Sequence, residues 1–239
     1  FKALQIAKKK NNYSHHQKIL RNLFVYYRES NNPDEAINYL NKAEKLATKQ
    51  NKNNDLGSIY TLYGSFYRKF KTNFQKAHSF YSKATSVLNS ENNKRQYIKL
   101  LNEIALTFEE QKHYDQSLET HNEIVSLSNN EKGITYIDAL INKAQIYLKK
   151  GEIDEAKTHI DNFKSFDLNN LDFNQVIKAK KIEAEYLSKT DKRDKAIDIL
   201  EPTLNQIVVR AQSSTDLKSG FWHVEDEYLD AFELTASIY

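Results

Sequence analysis

The chain is predicted to be an all-α solenoid of antiparallel helix hairpins with repeats of about 40 residues, on three observations. First, Tyr60, Tyr63, Gly64 and Tyr67, then Ala77, Tyr81 and Ala84, fall at spacings of three and four along two consecutive amphipathic stretches, as one buried face of each helix requires. Second, the same phrase returns along the chain at a nearly constant interval. Third, five Gly and two Pro in 239 residues leave little material for turn-rich β structure.

Taken in order, the close-packing position of each first helix falls on Phe24, Gly64, Ala105, Ala144 and Ala184, in steps of 40, 41, 39 and 40. The matching small residue of each second helix is Ala36, Ala77, Ser117, Ala156 and Ala196, with Ala77 one residue late, which implies a longer turn near Lys71 and Asn73. Tyr27, Tyr67, Phe108, Tyr147 and Leu187 follow the first set by three residues and should plug the gap between paired helices. Leu40, Tyr81, His121, Ile160 and Leu200 follow the second set by four. Polar connectors at residues 50–54, 90–94 and 128–131 separate the pairs. The expected repeats begin near residues 17, 57, 98, 137 and 177, within one solenoid spanning 1–239 that has partial repeats at both ends.

Local signals mark the boundaries. Asn32, Pro33, Asp34 and Glu35 place a cap, a first-turn proline and two acids where the free amide protons and dipole of a helix start favour them. Gly151 falls just past a helix end. Asp191 is placed to cap the last second helix, and Pro202 predicts a kink within it. Beyond Arg210 the phase shifts, and the next expected packing pair is Ala236 with Tyr239, after a helix opened by residues 221–225. Residues 1–8 read as the second half of a helix, so the chain is expected to be a piece of a longer protein, cut within a repeat at both ends.

This recurrence resembles the tetratricopeptide family over nearly the whole chain, although that family's usual unit is about 34 residues. The resemblance implies a right-handed superhelix whose inner wall is made by the first helix of every pair. Residues 214–234, a polar turn followed by Phe221, Trp222 and then Tyr228, Leu229, Ala231 and Phe232, resemble the last repeats of proteins that carry a caspase-like CHAT protease domain after their repeat array. The composition, rich in Lys, Asn and Tyr, is also similar to the repeat arms of bacterial transcription regulators and sensor kinases. Both likenesses imply a sensing or regulatory arm whose output domain lies outside this segment.

Composition narrows the chemistry. A net charge of +3, with lysines alternating with acids, gives no basic stripe, so nucleic acid is not an expected partner. The absence of cysteine removes disulfides, thiolate metal sites and cysteine nucleophiles. No apolar run approaches the roughly 18 residues of a membrane span, and a cytoplasmic location is the expectation. His15 and His16 point about 100° apart on a helix and cannot share an ion. His121 occupies a packing position and reads as a core histidine, while His78, His113, His159 and His223 lack a ligand at metal spacing. With no phosphate loop and no nucleophile elbow, no catalytic residue, metal site or cofactor is expected.

Binding is the expected work, in a concave groove that holds a protein or an extended peptide. Groove-facing positions lie three and two before, and one and four after, each close-packing residue. They are Arg21, Asn22, Val25 and Arg28; Thr61, Leu62, Ser65 and Arg68; Asn102, Glu103, Leu106 and Glu109; Ile141, Asn142, Gln145 and Leu148; and Lys181, Ile182, Glu185 and Ser188. The candidate binding residues among them are Arg21, Asn22, Arg28, Arg68, Asn102, Asn142 and Gln145. A carboxamide both donates to and accepts from a peptide bond, so Asn22, Asn102 and Asn142 can grip an extended chain without reading its side chains. The related repeats of kinesin light chains use asparagine in this part of the first helix for that purpose. Arg21, Arg28 and Arg68 make one end of the groove basic, and Glu103, Glu109 and Glu185 make the rest more acidic. The tetratricopeptide carboxylate clamp is not reproduced, since Val25 follows Arg21 and Glu185 follows Lys181 at its second position. A scaffold or homodimerisation spacer with an empty groove is the alternative.

Overall fold

The computed structural model describes residues 6, 12–129, 131–168, 171–213 and 226–239. Among them are eleven α-helices and no strand. They are α1 (Tyr13–Glu29), α2 (Pro33–Lys49), α3 (Asn53–Lys71), α4 (Phe74–Thr85), α5 (Lys94–Glu110), α6 (Tyr114–Ser128), α7 (Ile134–Lys150), α8 (Ile153–Lys164), α9 (Phe173–Lys189), α10 (Arg193–Ser213) and α11 (Asp226–Ile238). Consecutive helices pair as α1 with α2, α3 with α4, α7 with α8 and α9 with α10. In the third pair the Ser117 hydroxyl of α6 donates to the Ala105 carbonyl of α5 at 2.9 Å. The fold is an all-α repeat solenoid.

Asparagine explains the connectors. Asn12, Asn32 and Asn73 each cap a helix, accepting from the backbone N–H of His15, Glu35 and Lys76. Asn31 and Asn51 take the left-handed conformation at φ 52°, where the short polar side chain costs less than most. Pro33 occupies the first turn of α2, with Asp34 and Glu35 beside it. Gly151 closes α7 at φ 79°. Asp191, by contrast, does not cap α10: it sits at φ 56° in the preceding turn, and Lys192 stands next to the helix. The late Ala77 reflects a longer helix and not a longer turn, because α3 runs through Lys71 and only Thr72 and Asn73 separate it from α4.

The chain divides into two compact units, Phe1–Thr120 and His121–Tyr239. The core of the first is aromatic. Phe24 and Phe66 lie 6.4 Å apart, Tyr27 stacks on Tyr39 at 5.3 Å, and Phe80 stacks on both Tyr63 (4.7 Å) and Tyr67 (5.5 Å). Gly64 is required for this packing, since a Cβ there would stand 2.1 Å from Cε1 of the buried Tyr81. Gly57 has the same role against Leu88, with 2.4 Å to its Cγ.

The core of the second unit is mostly aliphatic, built from Ile137, Leu140, Ile141, Ala144, Leu148, Ile160 and Ile182 with Phe163. Tyr147 plugs its hairpin by stacking on His159 at 5.3 Å. Ala184, Ala196, Leu200 and Ile238 form a further cluster. Pro202 lies inside α10, which is continuous from Arg193 to Ser213. In α11 the buried residues are Ala231, Thr235 and Ile238, whereas Ala236 is exposed and Tyr239 is 78% exposed. The expected packing pair Ala236 and Tyr239 is therefore on the wrong face, because the residues that meet α9 and α10 repeat from Ala231. The helix opening at residues 221–225, the start of the CHAT-like stretch at 214–225, and residues 1–8 other than Ile6 lie outside the described residues.

Candidate peptide-binding groove

In the first unit, α1, α3 and α5 present one face of each helix toward a pair of adjoining hollows. One, of about 450 Å³, is lined by Tyr13, Gln17, Arg21, Asn22 and Val25 of α1 with Asp55 and Leu62 of α3. The other, of about 590 Å³, is lined by Arg21, by Asp55, Thr61 and Leu62, and by Arg95, Lys99, Asn102 and Glu103 of α5. Arg21, Asp55 and Leu62 border both. The lining repeats with helical spacing: Arg95, Lys99 and Asn102 lie on one face of α5, and Asp55, Ser58 and Leu62 on one face of α3.

The lining carries more cations, Lys18, Arg21, Arg95 and Lys99, than acids, Asp55 and Glu103. The Tyr13 hydroxyl donates to Asp55 Oδ2 at 2.5 Å. Glu103 accepts from the Arg68 guanidinium at 2.8 Å, and Arg68 also pairs with Glu110. Both lining acids are thus engaged. Arg21, Arg95 and Lys99 make no ion pair or side-chain hydrogen bond among the described residues, and Arg95 and Lys99 are exposed. The surface therefore offers cations and a carboxamide, Asn102, beside the apolar Leu62 and Val25.

Of the expected binding residues, Arg21, Asn22 and Asn102 border these hollows. Arg28 bonds its neighbour Glu29 and lies 5.8 Å from the Phe24 ring centroid. The Arg68 side chain is only 10% exposed and is held by its two glutamates, so it acts as an internal tie. Arg95, Lys99, Asp55 and Tyr13 were not among the expected residues. They lie one or two turns earlier on the same helix faces, and extending the 3.6-residue period toward each helix start finds them.

In the second unit the corresponding positions differ. Ile141, Leu148 and Ile182, expected in a groove, are buried in the core, because α7 packs on α9 through this face. Asn142 is buried and its Oδ1 accepts from Lys178 Nζ at 2.5 Å, while Gln145 is half-buried. Lys181 is buried and bridges to Asp230 at 2.6 Å. Among the described residues no group of three or more His, Cys, Asp or Glu is placed to hold a metal, and no helix is long and apolar enough to cross a membrane.

Paired helices in this phase define a tetratricopeptide-like repeat protein. The model of the family described as soluble NSF attachment protein, SNAP, matches residues 2–180, and the chain belongs to that family. Among solved structures it is similar to BtubC (BKLC) from P. vanneervenii, at TM-score 0.71 and 13% identity over 89% of each chain. It is also similar to nearly identical TPR-like repeats assigned to a kinesin light chain of Podosopora anserina, at TM-score 0.61 and 15% identity, covering 82% of this chain and 97% of that one. NprR in complex with its cognate peptide NprX gives TM-score 0.53 and 16% identity, covering 98% and 80%. At these identities the similarity shows the fold alone. No curated protein matches the chain.

Proposed function

We propose that this chain is a non-catalytic protein-binding module, and that the face made by α1, α3 and α5 holds an extended acidic segment of a partner. The observation that carries this reading is the charge arrangement: Glu103 is paired with Arg68 and Asp55 accepts from Tyr13, while Arg21, Arg95 and Lys99 make no ion pair among the described residues. Asn22 and Asn102 supply donors and acceptors to the peptide backbone, and Leu62 with Val25 takes an apolar side chain. The peptide complex of NprR and the attachment function in the family's description support it. In this reading the chain is one solenoid over residues 1–239, and it acts as the regulatory arm of a larger signalling protein. Arg28 and Arg68 then support the wall and do not contact the ligand directly, and Asn142 and Gln145 take no part in this face.

Fluorescence anisotropy of a labelled twelve-residue peptide rich in Glu and Asp, titrated with the full chain, tests this. A double variant, Arg21→Gln with Lys99→Gln, should weaken binding by roughly tenfold and flatten its salt dependence. Equal binding of a lysine-rich peptide, or no loss in the variant, would refute the assignment.

A spacer role is the second reading, favoured by Val209 (63% exposed), Leu229 and Phe232 standing exposed on α10 and α11. Light scattering that shows a dimer lost on Val209→Lys with Phe232→Lys would support it.

A further inference from the structure

The larger hollow, of about 590 Å³, sets three cations around one space: Arg21 of α1 with Arg95 and Lys99 of α5. None of the three makes an ion pair or side-chain hydrogen bond among the described residues. Two acids share the lining. Glu103 is paired with Arg68, which stands outside the lining, and Asp55 accepts from the Tyr13 hydroxyl. With Glu103 neutralised, the three cations face the single charge of Asp55, an excess of two.

The placement of these cations is costly in an empty groove. Arg95 and Lys99 stand four residues apart on α5, a spacing at which like charges repel. Arg95 also lies in the first turn of α5, which carries no acid and where the positive end of the helix dipole disfavours a cation. An anion held between α1 and α5 offsets both costs. Gln17 supplies a separate signal. It lines the smaller, adjoining hollow, is 3% exposed, and donates from Nε2 to the Ala43 carbonyl at 3.2 Å, which fixes its Oε1 as an acceptor. That oxygen is buried and has no donor among the described residues, whereas a peptide brings an N–H at every residue but proline.

We propose that the acidic feature held by the α1, α3 and α5 face is a phosphoryl group on the bound segment, a phosphoserine or phosphothreonine. Its oxygens sit between Arg21, Arg95 and Lys99, and the adjoining peptide backbone runs past Asn22 and Gln17 in the smaller hollow. The inference rests on the groove reading above and narrows its ligand. A phosphate monoester carries close to two negative charges near pH 7, which matches the excess in the lining, whereas a Glu or Asp side chain brings one. Its three free oxygens accept from forked guanidinium groups on two sides at once, which Arg21 on α1 and Arg95 on α5 provide. A phosphoinositide headgroup satisfies the cations too, but it brings no backbone N–H for Gln17 and no chain for Asn22 and Asn102 to grip.

The test is fluorescence anisotropy of three labelled twelve-residue acidic peptides against the full chain, identical except for a central serine, glutamate or phosphoserine. The phosphoserine peptide should bind about tenfold tighter than the glutamate peptide, and this ratio should grow between pH 5.5 and pH 7.5 as the second phosphate proton leaves near pH 6. Arg95→Gln and Lys99→Gln should each weaken the phosphoserine peptide roughly tenfold and narrow its advantage, while Lys157→Gln, in the second unit, should change none of the three. The three peptides on the unaltered chain decide the matter even if a variant folds poorly. Equal binding of the glutamate and phosphoserine peptides would overturn the phosphoryl assignment and leave the acidic groove standing; failure of all three to bind would overturn the groove reading itself. Vesicles containing phosphatidylinositol phosphate that bind the chain more tightly than the phosphoserine peptide would overturn the proposal in favour of a membrane surface.

Discussion

The two units use one repeat pattern to opposite ends. In Phe1–Thr120 the positions before each close-packing residue carry Arg21, Asn22, Thr61, Leu62, Asn102 and Glu103, and they border open hollows. In His121–Tyr239 the same positions carry Ile141 and Ile182, which close into the core, with Asn142 and Lys181 drawn into internal bonds. The charge differs too: Arg95 and Lys99 of the first unit are exposed, whereas Lys143 and Lys181 of the second are buried. The repeat phase places a residue on a face, and the side chain then decides whether that face opens to a ligand or packs shut.

The largest expected contrast concerns the aromatic core of the first unit. Phe66→Ala removes a fully buried ring packed on Phe24, Tyr67 and Phe70 and should cost about 3–5 kcal/mol in denaturant unfolding. A loss near 1 kcal/mol would mean that this core is loosely packed. Acid separates the units next. Burial holds His121 at about 3 and His159 at about 4, both below the ordinary value near 6.5.

Well above pH 6.5 neither histidine binds a proton in either state. As pH falls, the unfolded chain takes up protons that the folded chain refuses, so stability declines from pH 6.5 down to about 3. The His121 share should reach about 2 kcal/mol by pH 5. Melting curves of wild type and His121→Leu should keep a constant offset above pH 7 and shift apart toward pH 5, as the wild type alone loses stability, if the histidine is responsible; parallel curves would rule it out.

Gly64→Ala should destabilise by about 1–2 kcal/mol. The clash of the new Cβ with Tyr81 outweighs the roughly 1 kcal/mol that alanine gains over glycine in a helix. Lys143→Met should raise stability by about 1 kcal/mol, since burial lowers the Lys143 pKa and the ammonium makes no ion pair or hydrogen bond among the described residues. The smallest effect is in the groove, where Arg95→Gln should change stability by less than about 0.5 kcal/mol while weakening the acidic peptide. A larger loss of stability would show that the cation is structural.

Much of the fold was legible in the sequence. Every close-packing residue from Phe24 to Ala184, and every partner from Ala36 to Ala196, is buried, because a regular 40-residue step leaves those positions little freedom. His121 was legible as a core residue but not as a ring with neither nitrogen bonded, since a buried ring's partners depend on which side chains reach it between helices. The groove was half legible. Arg21, Asn22 and Asn102 follow from the period, but the retirement of Arg68 into Glu103 and Glu110 depends on which side chains reach each other between helices. In α11 the period failed at Ala236, because the phase there is set by contact with α9 and α10.

The groove assignment is tested most directly by backbone amide NMR of the full chain, titrated with the unlabelled acidic twelve-residue peptide. The account predicts shifts concentrated at Arg21, Asn22, Leu62, Lys99 and Asn102, with the amides around Lys143 and Lys178 unmoved. Shifts confined to α7 and α9, or scattered without saturation, would contradict it.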